Sequence, residues 1–347
     1  VDQRDLHSFP TRRSSDLRRD GDGRLFVLYS VEEVKEQLSL GGFELLVWDE
    51  NETGEERWIN MLCRTPSKGE RDARTFLTLE SAQRWAGFVL GHAGIEEAQR
   101  EAGWILKYIL ACDEKDFFLS RQKTLPAQKE PRFFEMVQKR AARFPLAYLI
   151  EERGFMGMDF KVTPDVLIPR PETELLVENA LSLAGRKSVI VLDMGTGSGC
   201  IAISFAVHHE DSFIVATDIS SEALQIAEEN GRRHAVEHRI LWLKSDLFSA
   251  LRPSPVFDLI LSNPPYVSKE EHPRLMPEVR DHEPSLALLA DEGIAFYRKI
   301  VPSALLYLKK NGFLVLELGY GQLPSVMDLV PRDRKSTRLN SSHVSQS

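Results

Sequence analysis

The chain has 347 residues, 42% hydrophobic and 28% charged, ordinary for globular protein and enough for about two domains. No apolar run approaches the roughly 18 residues of a membrane helix, and Gly and Pro are too few for a collagen-like or wholly disordered chain. Forty-four Lys and Arg against 52 Asp and Glu leave −8, which argues against whole-surface binding to nucleic acid or acidic membrane. Cys63, Cys112 and Cys200 lie far apart and match no metal spacing, so a reducing cytoplasm is the expected location.

No secretory signal is visible, and the chain starts on Val1 rather than Met. His7–Leu17 (HSFPTRRSSDL) and Asp333–His343 (DRKSTRLNSSH) each resemble a translated sequencing adaptor. Residues 1–19 and 333–347 are therefore set aside as adaptor-derived artefact. Residues 20–66 read strand, helix, strand, strand. Leu25–Tyr29 is a β-rich run, and Ser30 with Glu33 makes a capping box for a short helix that stops at Gly41-Gly42. Phe43–Trp48 and Trp58–Cys63 then pair across the polar loop Asp49–Gly54. The polar stretch Thr65–Thr75 reads as a linker, assigned to residues 67–77.

Residues 78–150 are expected to form a small helical bundle. Ala82, Trp85, Ala86, Val89 and Leu90 follow helical spacing, and Gly94 stops the run. Ala98, Ala102, Ile105, Leu106, Ile109 and Leu110 continue the period, and a further helix covers Phe133–Arg143. The aromatics Trp85, Trp104, Phe133 and Phe134 are read as core. Residues 151–185 hold a hairpin, alternating over 155–167, and a connecting segment, Val166–Glu174, that leads into another helix. Residues 186–332 alternate strand and helix, the pattern of a doubly wound parallel α/β sheet. Its strands are Val189–Asp193, Phe213–Asp218, Ile240–Leu243, Phe257–Leu261 and Phe313–Leu318. Nothing like a terminal hairpin follows, so the last strands of the sheet are expected to be missing.

The first of these strands ends in Asp193-Met194-Gly195-Thr196-Gly197-Ser198-Gly199, followed by the helical run Cys200–Val207. Glycines there let a backbone approach a ligand closely, and a helix N-terminus favours an anionic group. The spacing Gly-x-Gly-x-Gly is not the Gly-x-Gly-x-x-Gly of dinucleotide sites. Asp218 ends the second strand nineteen residues later, where an acid commonly grips ribose hydroxyls. A structural Asp capping the next helix is the competing reading. The sharpest signal is Asn263-Pro264-Pro265-Tyr266, directly after the strand Phe257–Leu261. Ligands of open α/β sheets sit beyond the carboxyl ends of strands, so this tetrapeptide borders the same crevice as the glycine turn. Two prolines fix the backbone and free its carbonyls, Asn263 adds an acceptor, and Tyr266 adds a planar face. That set suits a planar –NH2 group on an sp2 carbon.

Residues 78–332 resemble the peptide chain release factor N(5)-glutamine methyltransferases. The resemblance rests on the bundle, Phe160–Glu174, the glycine turn, Asp218, the Asn-Pro-Pro-Tyr motif and Glu283-Pro284. It implies a Rossmann-like class I methyltransferase fold and S-adenosylmethionine as cofactor. It further implies that Gly195, Thr196, Gly197, Ser198, Gly199 and Asp218 hold the cofactor, with Leu247 near its adenine and Asn263 also touching it. Asn263, Pro264, Pro265 and Tyr266 then hold the substrate glutamine, and Asn263, Pro264 and Tyr266 carry the chemistry. Residues 20–66 resemble the end of another methyltransferase domain. Two positions depart from the family pattern, with Glu151 where glycine is expected and Gly154 where glutamate is expected.

The reaction needs a sulfonium donor held in line with an amide nitrogen, and neither metal nor covalent nucleophile. His208, His209, His234 and His238 are accordingly read as surface helix residues. The expected substrate is the glutamine of a Gly-Gly-Gln motif in bacterial release factors, with no membrane and no direct nucleic-acid partner. Three rival readings stand beside it. Residues 186–332 carry 15 Lys and Arg against 19 Asp and Glu, net −4, where an adenine-N6 nucleic-acid methyltransferase normally brings a basic groove. A ribosomal-protein glutamine methyltransferase is disfavoured by Ile168-Pro169-Arg170-Pro171-Glu172-Thr173-Glu174. An inert truncated methyltransferase-fold binding module is disfavoured by the intact glycine turn and Asn-Pro-Pro-Tyr motif.

Overall fold

The structure, a computed structural model, describes residues 78–330 fully and, before them, the strands β1 (Leu17–Arg19), β2 (Leu25–Val27), β3 (Glu44–Thr53) and β4 (Glu56–Arg64). The chain divides into two units, Val1–Thr75 and Phe76–Ser347. In the first, β1 pairs antiparallel with β2, so the last residues of the stretch set aside as artefact carry a strand. β3 pairs antiparallel with β4, with Trp48 opposite Met61. The expected polar loop Asp49–Gly54 is corrected: Asp49–Thr53 continue the ladder to Thr53 opposite Glu56. Their backbone N–H and C=O groups pair across strands whatever the side chains' polarity. The helix expected after Ser30, the linker and residues 333–347 lie outside the described residues.

The second unit opens with the bundle. Thr78 caps helix α1 (Leu79–His92) by accepting the Ser81 N–H, and Gly94 turns the chain with φ +75°. Helices α2 (Ala98–Leu110), α3 (Glu114–Ser120), α4 (Glu130–Ala141) and α5 (Leu146–Leu149) follow. Leu90, Ile105, Leu106, Leu125 and Phe133 are wholly buried in their shared core. Trp85 and Phe134 sit at its edge, and Trp104 stands half-buried under the Arg100 guanidinium.

The hairpin is β5 (Glu152–Phe155) and β6 (Met158–Lys161), joined at Met156-Gly157, both at positive φ. It ends at Lys161, short of the expected 167. Val162, Val166 and Ile168 keep alternating because they bury against Tyr148 and Ala223, without forming a ladder. Glu151 takes φ +54°, the left-handed conformation that glycine adopts freely.

Helix α6 (Pro171–Ala184) leads into the five-stranded parallel sheet of β7 (Val189–Met194), β8 (Ser212–Asp218), β9 (Ile240–Lys244), β10 (Phe257–Ser262) and β11 (Leu308–Leu316), in the order β11-β10-β7-β8-β9. Between the strands run α7 (Cys200–His208), α8 (Ser221–Arg233), α9 (Pro277–His282), α10 (Ser285–Leu288) and α11 (Ala295–Ala304). Strand side chains alternate between two cores. Val191, Leu259 and Leu261 face Val177, Ile203 and Phe205, whereas Leu192, Met194 and Ile260 face Phe248, Ile300 and Tyr307. This is the doubly wound α/β arrangement. The fifth strand starts earlier than its apolar run, at Leu308 opposite Phe257, and stops at Leu316. Between Leu308 and Phe313 the register shifts, with Asn311 at φ +65°, and Lys309 Nζ donates to Asp258 Oδ2 at 2.7 Å across the break.

Candidate active site

Both sequence motifs emerge at the carboxyl ends of the central strands β7 and β10, which are direct neighbours. Ser262 ties them by donating its hydroxyl to the Met194 carbonyl at 2.7 Å. In the glycine turn, Gly195, Gly197 and Gly199 all have positive φ. They do different work. A Cβ on Gly199 would lie 2.9 Å from Ile203 Cδ1 and 3.3 Å from Ala227 Cα, so this glycine lets helices α7 and α8 close together. A Cβ on Gly195 or Gly197 would meet nothing within 4 Å, so their backbone edge faces open space that a ligand can enter. The N–H groups of Gly195 and Thr196 donate to the Thr217 carbonyl, which anchors the turn on β8.

Asp218 closes the turn from the other side. Its Oδ2 accepts the Gly197 N–H and its Oδ1 the Ser220 N–H, each at 2.9 Å. Burial pushes its carboxyl above the ordinary range, and the Ser220 and Gly197 N–H groups pull it back. An ionised carboxylate offers about four acceptor sites, and the Ser220, Gly197 and Ile219 N–H groups leave room for a hydroxyl group. Asp218 is thus a clamp on the turn as well as a candidate ribose ligand. Ser220, not Asp218, caps helix α8, by accepting the Ala223 N–H. Leu247 sits at φ +49° with its carbonyl taken by Ser245 Oγ, and packs partly buried beside the Phe248–Tyr307 core. Beneath the turn, Asp193 is fully buried. Burial pushes its carboxyl up to about 7, although the Thr196 hydroxyl donates to its Oδ2 at 2.6 Å.

Past β10, Asn263 Nδ2 donates to Thr173 Oγ1 at 3.1 Å, and Thr173 Oγ1 donates to Glu317 Oε2 at 2.6 Å. The Tyr266 hydroxyl reaches Glu317 Oε1 at 3.5 Å, and its phenol is pushed up to about 12 by burial and then by Glu317. Burial also raises the Glu317 carboxyl, against the pull of hydrogen bonds from Thr173, Tyr266 and Asn263. Gln322 Nε2 donates to the carbonyls of Tyr266 (2.9 Å) and Gly293 (3.2 Å), which holds the far end of the motif. Pro264 is buried and Pro265 half-buried.

The side chains of the proline-arginine segment, a family marker in the sequence, have a role that its pattern does not announce. They are fasteners. Arg170 Nη2 and the Ile168 N–H both donate to Glu283, whose side chain is 1% exposed, and Glu174 Oε1 accepts the Met156 N–H at 2.7 Å. Glu317 and Gln322 belong to no motif of the sequence. The available signal is an acid within the apolar run Phe313–Leu318. The histidines do not join the site. His209 is a correction: it lies just past helix α7, buried and stacked on Phe205, with neither ring nitrogen hydrogen-bonded.

Residues 81–150 match the family described as PrmC N-terminal domain, and residues 171–281 match the methyltransferase small domain. A release factor glutamine methyltransferase of Geobacter sulfurreducens is 38% identical over 256 residues, covering 74% of this chain and 89% of that protein. The protein so named in Cereibacter sphaeroides is 42% identical, covering 70% and 85%, and that of Streptococcus pneumoniae is 42% identical, covering 65% and 80%. The chain belongs to the release factor glutamine methyltransferase family. The first match falls on the helical bundle. The second takes in the glycine turn, Asp218 and the Asn-Pro-Pro-Tyr motif of this family member but stops before Glu317 and Gln322. Its cofactor is S-adenosylmethionine, and the open glycine edge with the spare acceptor site of Asp218 fits that ligand.

Proposed function

We infer that this chain methylates the side-chain amide of the glutamine in the Gly-Gly-Gln motif of bacterial peptide chain release factors. The observation that carries the site assignment is Asn263: its NH2 is committed inward to Thr173, and among the described residues no donor meets its Oδ1. S-adenosylmethionine, when bound, supplies an electrophilic methyl group on a sulfonium sulfur. On this reading the glycine turn, Thr196, Ser198, Asp218 and Leu247 hold that donor at the end of β7 and β8. Asn263 Oδ1 and the Pro264 carbonyl accept hydrogen bonds from the substrate –NH2, while Pro265 and Tyr266 line its plane.

An amide nitrogen is a weak nucleophile because its lone pair is delocalised into the carbonyl. Two fixed acceptors stabilise the positive charge that builds on it as the methyl arrives, as an oxyanion hole does for negative charge. Holding donor and acceptor in line contributes on the order of 7–11 kcal/mol to lowering the barrier. The proton leaves late, so no side-chain base is required.

We read residues 78–150 as the part that grips the folded substrate, 151–185 as the connector and 186–332 as the catalytic domain. No described helix is long and apolar enough to cross a membrane. The cytoplasm, where release factors act, is the proposed location. The net charge of −4 over residues 186–332 favours a protein partner over nucleic acid. Competition tests the reading: release factor, a Gln→Asn release factor and an adenine-containing oligonucleotide are offered together with labelled cofactor. Label enters the first alone, because Asn is one methylene too short. Label in the oligonucleotide at a comparable rate would overturn the assignment.

A further inference from the structure

We propose that Thr173 and Glu317 are a positioning relay that sets which way round the Asn263 side-chain amide faces. The proposal rests on the reading of Asn263 as the substrate's acceptor. A primary amide has two ends of nearly equal size and opposite hydrogen-bonding character, so a half-turn converts an acceptor into a donor. An Asn263 turned the wrong way would present N–H groups to the substrate N–H groups and repel them.

The bonding around Thr173 forbids that turn. Thr173 is 2% exposed, so its hydroxyl must find partners within the protein. A hydroxyl has one proton and two lone pairs, and a carboxylate accepts only while ionised, the form that the Thr173, Tyr266 and Asn263 donors gathered on Glu317 favour against its burial. The 2.6 Å contact to Glu317 Oε2 therefore consumes the Thr173 proton, leaving only lone pairs for Asn263. Asn263 must answer with Nδ2, as the 3.1 Å contact shows; Glu317 draws the same NH2 directly, and Oδ1 is left for the substrate.

The three groups come from separate elements held by separate contacts. Thr173 lies in the first turn of α6, whose start is pinned through Arg170 to Glu283. Glu317 follows β11, with its backbone N–H on the Ser262 carbonyl and its own carbonyl accepting the Tyr297 hydroxyl at 2.8 Å. Each end of the relay is thus fixed by packing that does not involve Asn263.

The test uses the full chain with release factor and S-adenosylmethionine, comparing N263A, T173V, T173A, T173S and E317A. In T173V, T173A and E317A we expect kcat to fall roughly 10- to 100-fold, with KM for release factor and Kd for S-adenosylmethionine moving less than about 3-fold. T173S keeps the hydroxyl and should stay within about 3-fold of the parent. The double variant T173V/N263A should be no slower than N263A alone, because the relay acts only through Asn263. Additive losses in the double variant, full activity of T173V, or a T173S as slow as T173V would each overturn the relay. So would loss of the folded state in both T173V and T173A, since the contact would then be structural. If N263A itself stayed fully active, the acceptor reading would fail first, and that result is distinct from the others.

Discussion

Arg140 and Glu278 are separated by 138 residues, yet Arg140 Nη1 donates to Glu278 Oε1 at 3.0 Å. The same guanidinium grips Glu101 through Nε and Nη2, and Arg143 Nη2 reaches the second oxygen of Glu278 at 2.9 Å. Side-chain exposure is 8% for Arg140 and 11% for Glu278, so these charges are nearly cut off from water. Burial pushes the Glu278 carboxyl up, but its own backbone N–H, Arg140 and Arg143 together outweigh that and hold it below the ordinary range. The network joins α2 and α4 of the bundle to α9, which follows the Asn-Pro-Pro-Tyr motif.

Arg140→Ala should therefore be costly. It strands Glu101 without its partner and leaves Glu278 to Arg143 alone. Removing one member of a buried ion pair costs about 3–5 kcal/mol. Denaturant unfolding should show a loss near the lower end of that range, because Arg143 remains. A loss under about 1 kcal/mol would mean the network is solvated in solution.

Asp193 predicts a pH effect of definite sign. Its carboxyl ordinarily titrates at 3.8 and is raised to about 7 in the fold. From about pH 4 to 7 the unfolded chain has released this proton while the folded chain retains it. The stability contributed by the protonated form is therefore complete below about pH 4, declines as pH rises, and is gone above about 7. Asp193→Asn removes the titration and can still accept from Thr196. The variant should gain on the parent between pH 4 and 7 and hold a constant difference above 7. Parallel curves of unfolding free energy against pH would count against a raised carboxyl.

At the cofactor, Asp218→Ala removes the partner of the Gly197 N–H and a candidate ribose contact together. Calorimetry should find S-adenosylmethionine binding weakened by about 1.5–3 kcal/mol. Gly197→Val should abolish binding, since its side chain would enter the open space beside the turn. Unchanged affinity in both variants would place the cofactor elsewhere.

Glu151 offers a gain instead of a loss. A non-glycine residue at φ +54° costs about 1–2 kcal/mol, and glycine gives back about 0.4–1 kcal/mol through the freedom of the unfolded chain. Glu151→Gly should stabilise by about 0.5–1 kcal/mol, read as a higher denaturation midpoint at unchanged slope.

The order of elements in the second unit, the strand-end position of both motifs and the tight glycine turn after the first strand were legible in the residues. Each depends on local pattern: apolar runs of strand length, helical spacing, and glycine or proline where the backbone must take an unusual course. Where local pattern misled, another force set the boundary. The run 162–168 alternates because it buries, not because it pairs, and Leu308 pairs with Phe257 ahead of the apolar run, across a register shift that no local pattern marks.

The sequence by itself determined which chemistry the chain can hold, because Asn-Pro-Pro-Tyr after a strand and Gly-x-Gly-x-Gly before a helix carry their meaning in consecutive residues. The tertiary structure alone decided how those groups are aimed. Thr173 meets Glu317 across 144 positions and Arg170 meets Glu283 across 113. Hydrogen bonds of that kind act over about 3 Å of space regardless of distance along the chain, so no sequence spacing announces them. Only closing α6, β10 and β11 around one point gave Asn263 a neighbour able to tell its oxygen from its nitrogen.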